Sequence, residues 1–225
     1  SCSRRFRPSS VAAAPSEPQL GRVMAPPNAF TRASGPVARL AGTLSDRARA
    51  RRLEQFLALS GVTPQTRIVD VGCGGLGLIG LAPQLDITGV DLIDRPEYPG
   101  RLVQADATER LPFEDNEFDL AYANSVIEHV APARREVFAR EVRRVAHGWY
   151  VQTPAMSFPI EPHSLLPGAH WLPLALRRRY WSLGVGSDVE EIALLRRREL
   201  ERLFGPVFRE RWGPLTKSWI ALRRP

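Results

Sequence analysis

The chain has 225 residues and 25.1 kDa, 44% hydrophobic and 24% charged, enough for one sizeable core with appendages and too little for two nucleotide-binding domains. No apolar run approaches the roughly 20 residues that span a bilayer, and two cysteines, Cys2 and Cys73, make no disulfide framework, so a cytoplasmic setting is expected. The net charge of +7 comes from 30 arginines and the single Lys217 amid much Ala, Leu, Gly and Pro, a bias of overall composition that points to no special partner.

Residues 1–42 hold Ser, Ala, Pro and Arg with little periodicity, and the first acid is Glu17. Such a segment buries too little apolar surface to offset its ordering entropy, so a disordered leader is expected before one domain over 43–225. An arginine-rich, acid-poor start is also the pattern of an organellar transit peptide. From Ser45 a helical period begins, with Leu53, Phe56, Leu57 and Leu59 on one side and Arg47, Arg49, Arg51 and Arg52 on the other, ended by Gly61 and Pro64.

Arg67 to Leu78 reads RIVDVGCGGLGL, a β-branched strand running into a glycine turn. A helix over Leu76–Leu85 is expected next, then strands over 87–92, 101–106 and 118–123, a helix over Pro132–Ala146, and a strand over 149–153. Each crossover has room for a helix, which implies a mostly parallel sheet covered on both faces. Residues 154–187 break the pattern with Pro154, Pro159, Pro162, Pro167 and Pro173 among aromatics and histidines, and read as an inserted cap or substrate lid. An amphipathic helix over Asp188–Phe204 and a closing hairpin, Val207–Trp212 with Lys217–Leu222 about Gly213 and Pro214, complete the chain.

Gly72, Gly74 and Gly77 satisfy GxGxxG, and Asp91 follows Gly72 by 19 positions, which taken alone describes a dinucleotide fold and an NAD-dependent oxidoreductase. Two observations oppose that reading. Asp70 sits two residues before Gly72, where a carboxylate would repel an incoming pyrophosphate. Asp106, at the end of the third strand, adds a further acid. Residues 61–130 as a whole carry 4 arginines against 12 acids, a net of −8, which suits a cationic ligand. Three strand-end acids in series form an acidic cradle for a ligand bearing an ammonium and a sulfonium.

VDVGCGGLG, GVDLID and QADATERLPFEDNEFDLAYANSVIEHV, taken in that order, resemble the successive motifs of class I S-adenosylmethionine-dependent methyltransferases, and specifically the type 11 group. The resemblance covers residues 50–154. It implies a Rossmann-like, doubly wound α/β fold with a mostly parallel sheet, a C-terminal antiparallel hairpin strand and S-adenosyl-L-methionine as cofactor. It further implies that Asp70, Gly72, Cys73 and Gly74 form the turn beside the methionine moiety and that Asp91 binds the ribose hydroxyls. Leu92 would pack on the adenine, Asp106 with the backbone of Ala107 would read the adenine amino edge, and Asn124 would lie beside the transferable methyl group. The family places its third glycine at the position of Leu76, flanked here by Gly75 and Gly77, so the turn is expected to differ in shape.

Structural readings stand beside these. Asp91 and Asp106 are also ordinary turn formers, and Cys73 a small filler. His129 is placed to act as a general base if the acceptor is a hydroxyl, or to pack at the start of a helix; His163, in the lid, is the second catalytic candidate. His163, His170 and Glu161 lack the spacing of a metal site, so no metal is expected. The acceptor is expected to be a small or lipid-linked molecule, since Trp171, Leu172, Leu174, Leu176, Tyr180 and Trp181 beside Arg177 to Arg179 suggest peripheral membrane contact through 171–181. No nucleic-acid-reading module accompanies the arginines, so nucleic acid is not expected. A protein that binds the cofactor without catalysis is the remaining alternative.

Overall fold

The computed structural model describes residues 49–161, 164, 166–181, 184 and 192–225. The leader expected over 1–42 lies outside the described residues, as does His163. Seven strands form one sheet: β1 (Arg67–Val71), β2 (Asp86–Asp91), β3 (Arg101–Gln104), β4 (Phe118–Asn124), β5 (Ala146–Pro154), β6 (Val207–Trp212) and β7 (Leu215–Arg223). Their order is β3-β2-β1-β4-β5-β7-β6. β1 to β5 are parallel, whereas β7 runs antiparallel to β5 and pairs with β6 as the expected hairpin. Parallel pairing brings the C-terminal ends of β1, β2, β4 and β5 to one edge, where open α/β sheets bind their ligands.

Helix α1 (49–60) lays Phe56 against Tyr122 and Tyr150, with ring centroids 4.9 and 5.1 Å apart in edge-on packing. Ile68, Ile87, Leu120 and Ile220 complete that face of the sheet. Helices α2 (Arg135–Val145) and α4 (Arg197–Phe204) bury Phe138, Val142, Leu200, Leu203 and Phe204 on the opposite face, over Val69, Val71, Ala121 and Val151. The fully buried strand residues on both faces explain why β1 and β4 read as continuous apolar runs rather than alternating ones.

Two expected helices differ, and one crossover with room for a helix has none. Residues 75–81 form successive turns rather than a helix. Helical bonds survive only in part, Gly80 and Ala82 N–H to the Leu76 and Leu78 carbonyls, because the Leu78 N–H is diverted to the Asp70 carboxylate and three glycines, Gly75, Gly77 and Gly80, weaken the segment. The β2–β3 connection, 92–100, also carries no helix; Pro96, Pro99 and Gly100 make it a loop. The helix expected from Asp188 begins only at Arg197, residues 187–191 being outside the described residues. Immediately before it, Ala193 donates its N–H to the Glu128 carbonyl and accepts a bond from the Arg135 guanidinium, so tertiary partners take the groups a helix would use.

Between β5 and α4 the chain leaves the sheet. An Ile160–Pro167 bridge closes a loop, followed by a short turn at Ala169–Trp171 and helix α3 (Leu174–Trp181). This is the region read from the sequence as a lid.

Candidate functional site

The glycine turn is fastened by its own backbone. Gly72 and Cys73 donate N–H bonds to the Val90 carbonyl at 2.8 and 3.1 Å, and Gly74 donates to Asp91 Oδ2 at 2.8 Å. These three successive donors, which in a phosphate-binding turn would face the anion, are spent within the protein. No regular helix follows to offer a positive dipole end. The turn is therefore not built for a pyrophosphate, and the dinucleotide reading fails on geometry as well as charge.

Gly72 has φ +73°, and a Cβ there would stand 2.6 Å from Val126 Cγ2. Only glycine fits both the backbone and the space. Gly77, at φ +59°, is equally constrained, since a Cβ would meet Asp70 Oδ2 and Tyr98 Cε2, each at 2.8 Å. The displaced third glycine therefore has a role in this chain: it lets the turn close directly over Asp70.

Asp70 is 2% exposed and its Oδ2 accepts the Leu78 N–H at 2.6 Å. Burial pushes its carboxyl up to about 7, against the opposing hydrogen bond from Leu78 and with a further push from the Asp91 charge. Tyr98, 7% exposed, stands over it, and the same burial and charge push its phenol up. A Cβ on Gly89, the register partner of Asp70, would lie 2.5 Å from Tyr98 Cζ. Sequence reasoning missed Tyr98, although a bare glycine inside an apolar strand is a signal of close approach. Cys73 is buried, and its thiol is pushed up by burial and by both aspartates, which fits a filler rather than a nucleophile.

Asp91, 9% exposed, accepts from Gly74 on Oδ2 and from Ile93 N–H on Oδ1, and Arg95 Nε lies 3.7 Å away. A carboxylate has about four lone-pair positions, so these bonds orient it with capacity left for hydroxyl donors. Asp106 lies two residues beyond the end of β3; its Oδ1 accepts from both the N–H and the hydroxyl of Thr108 at 2.7 Å. That is the turn-forming role, and it fixes the carboxyl beside half-buried Ala107. Leu92 is 43% exposed on the same edge. Asn124 closes β4, and its buried Oδ1 has no hydrogen-bond partner. Ser125, next to it, is held at φ +57°, a strained conformation for a residue with a Cβ.

His129 is half-buried at the end of the turn Ile127–His129 that follows β4. Its neighbour Glu128 is fully buried, with Oε2 accepting from the Thr153 hydroxyl at 2.9 Å. In the lid, Trp171, Leu174 and Leu176 are exposed, but Trp181 is 8% exposed and turns inward, which removes it from the surface patch expected over 171–181.

The residues present fit a cofactor bearing ammonium and sulfonium charges. A buried carboxyl pushed to about 7 is a group that a cation would restore to its charged form, and Asn124 supplies an unpartnered buried oxygen on the same edge. Among the described residues no helix is long and apolar enough to cross a membrane.

Residues 69–148 match the model of a methyltransferase domain family, the type 11 group. No match was found among curated protein sequences. Among solved structures, an S-adenosylmethionine-dependent methyltransferase from Archaeoglobus fulgidus is similar, with TM-score 0.50 and 17% identity over 70% of this chain and 66% of that one. The PH0226 protein from Pyrococcus horikoshii matches with TM-score 0.53 and 18% identity over 80% and 90% of the two chains. The methyltransferase domain of a bacterial Hen1 protein matches with TM-score 0.52 and 16% identity over 77% and 97%. At these identities the structures establish the fold, and the family rests on the matched segment, which holds the glycine turn, Asp91, Asp106 and Asn124. Residues 69–148 are thus similar to the methyltransferase domain of the type 11 group, on a sheet with the fold of S-adenosylmethionine-dependent methyltransferases of known structure.

Proposed function

We propose that the protein transfers a methyl group from S-adenosylmethionine to a small-molecule or lipid-linked acceptor, with Asp70, Gly72, Cys73, Gly74, Asp91, Leu92, Asp106, Ala107 and Asn124 holding the cofactor. The observation that carries this reading is Asp70: an acid sealed under Gly77 and Leu78 with Asp91 as its acidic neighbour is a liability unless a cation completes the site. When bound, the cofactor supplies a methyl group made electrophilic by its sulfonium.

The protein's own residues supply position and exclusion of water. Gly72 lets the turn approach the end of β4 without collision with Val126. Asp91 ties the turn to β2 through Gly74 and keeps lone pairs for ribose hydroxyls. Thr108 orients Asp106 toward its adenine-reading role. His129, half-buried beyond β4, is the candidate to accept a proton if the acceptor is a hydroxyl.

Calorimetry with S-adenosylhomocysteine, S-adenosylmethionine and NAD tests this reading. Binding of the first two and none of NAD is the expected result; NAD binding alone would overturn it. Methyl-labelled cofactor incubated with fractionated extract then asks whether label enters small molecules or lipids. Exposed Trp171, Leu174 and Leu176 beside exposed Arg178 and Arg179 support peripheral contact with an anionic lipid surface. Co-sedimentation with phosphatidylglycerol vesicles, lost in Trp171→Ala with Leu176→Ala, is the expected outcome, and equal recovery with neutral vesicles would contradict it.

A further inference from the structure

The sheet has two unlike outer strands. On one side β3 has only four residues, Arg101–Gln104, and a short strand is one way that sheets keep an edge from pairing. On the other side β6 has six, Val207–Trp212, without a proline, and among the described residues no strand lies beyond it. The register shift of the hairpin falls on β7, which skips Lys217, so β6 keeps an unbroken outer row of N–H and C=O groups. β6 and β5 both run antiparallel to β7, so Trp212 lies at the same end of the sheet as the C-terminal ends of β4 and β5.

Alternation along the strand sorts its side chains. Phe208, Glu210 and Trp212 face the α1 side, in keeping with the pairing of Phe208 with Ile220; Val207, Arg209 and Arg211 face the α4 side, where Arg209 pairs with Trp219. Glu210 is spent within the protein, its Oε1 accepting from Lys217 Nζ and its Oε2 from the Gln152 amide, both at 2.7 Å. Phe208 and Trp212 are 51% and 57% exposed, and Trp212 is held edge-on against Phe158 of the lid, ring centroids 6.0 Å apart. Arg209 and Arg211 are exposed, and among the described residues neither guanidinium has a hydrogen-bond or ion-pair partner. One strand thus combines unpaired backbone, an exposed aromatic pair on one face and two uncompensated cations on the other.

A second copy of the chain is a poor occupant of this strand. In the antiparallel registers that overlap β6 most fully and keep its two faces aligned, Arg209 would meet an arginine of the second copy, and like charges directly opposite oppose pairing. We propose that the outer side of β6 docks an acidic segment of a partner protein by strand addition. The backbone of that segment continues the sheet, two acids at alternate positions face Arg209 and Arg211, and apolar residues between and beside them face Phe208 and Trp212. The recognised pattern is apolar-acid-apolar-acid-apolar. The inference is independent of the methyl-transfer reading, and through Trp212 and Phe158 it sets the partner beside the lid.

The test uses the full chain and a labelled, end-blocked peptide, Ser-Val-Glu-Val-Glu-Val-Ser, read by fluorescence anisotropy. Saturable one-to-one binding is expected, weakened roughly tenfold or more when lysines replace both glutamates. A strand pairs through only one of its sides at a time. Of two peptides, one N-methylated at the valines and the other at the glutamates, one is therefore expected to lose roughly tenfold or more and the other to bind nearly as the parent does, a comparison that needs no variant of the protein. Arg209→Glu with Arg211→Glu is expected to reverse the preference in favour of the lysine peptide, with an unchanged urea-unfolding midpoint certifying the fold. No binding, equal binding of the lysine peptide, or full binding of both N-methylated peptides would each overturn the proposal. So would self-association of the chain through β6 that excludes the peptide, or capture of oligouridylate or phosphatidylglycerol vesicles by the same arginines more tightly than the peptide.

Discussion

In the glycine turn the backbone donors Gly72, Cys73, Gly74 and Leu78 all have acceptors within the protein, Val90, Asp91 and Asp70. In the lid, buried His170 Nδ1 and Arg177 Nε have none. The first region keeps its shape without a ligand and holds its tension as charge, in the buried carboxyl of Asp70. The second holds its tension as unmet hydrogen bonds. A rigid backbone turn keeps its shape by bonds of its own, whereas a region held by side chains can exchange them at little cost to the fold.

Gly72→Ala strikes the turn hardest. A Cβ at φ +73° driven into Val126 is expected to destabilise the fold by roughly 2–4 kcal/mol and to abolish S-adenosylhomocysteine binding. Urea unfolding and calorimetry check both, and a variant of native stability that binds normally would show that the turn is not rigid. Asp91→Ala frees the N–H groups of Gly74 and Ile93; affinity for S-adenosylhomocysteine is expected to fall roughly 100-fold, with stability lowered by about 1–2 kcal/mol.

The fold was largely legible in the sequence, because apolar strands ending in turn residues are a local signal and crossovers long enough for a helix imply parallel pairing; the strand order was not read from it. The β6 bounds coincide with the expected Val207–Trp212, and β1, β4 and the closing hairpin lie where the pattern put them. What was not legible was helix content wherever tertiary partners compete for backbone groups. Asp70 captures Leu78 across the glycine turn, and Glu128 and Arg135 capture Ala193 from far away in sequence. Asp70, Asp91 and Asp106 were legible as a set because they sit at or just past strand ends. Tyr98 was not, since it reaches the site from a loop by filling the space left by Gly89. In the lid the sequence singled out His163, outside the described residues, while the tautomer of His170 depends on a carbonyl 14 positions away. Sequence spacing cannot reveal such a contact.

A smaller effect sharpens the picture of the β4 end. Ser125 holds a left-handed conformation at the edge where ligand would lie, so Ser125→Gly is expected to raise stability by about 0.5–1 kcal/mol. Differential scanning calorimetry measures it, and a loss of stability would mean that the serine side chain contributes more than its backbone costs.

Asp70 is the buried acid beneath the glycine turn. Its carboxyl titrates near 7 when folded against 3.8 ordinarily. The folded state therefore binds its proton more tightly, and that stability, complete below pH 3.8, is lost as pH rises through about 7. Asp91, Cys73, Tyr98 and Tyr122 surround it electrostatically, and the thiol and both phenols are pushed up and stay neutral there. Asp70→Asn is accordingly expected to gain about 2–4 kcal/mol at pH 8 and almost nothing at pH 3.5, while losing roughly 10–100-fold in affinity for S-adenosylmethionine. The most direct measurement is the proton released on S-adenosylmethionine binding at pH 6, from calorimetry in two buffers of different ionisation enthalpy. Release of close to one proton, absent at pH 8.5 and absent in Asp70→Asn, is the predicted result. Tight binding with the same proton release in wild type and Asp70→Asn would contradict the claim that this buried carboxylate awaits a cation.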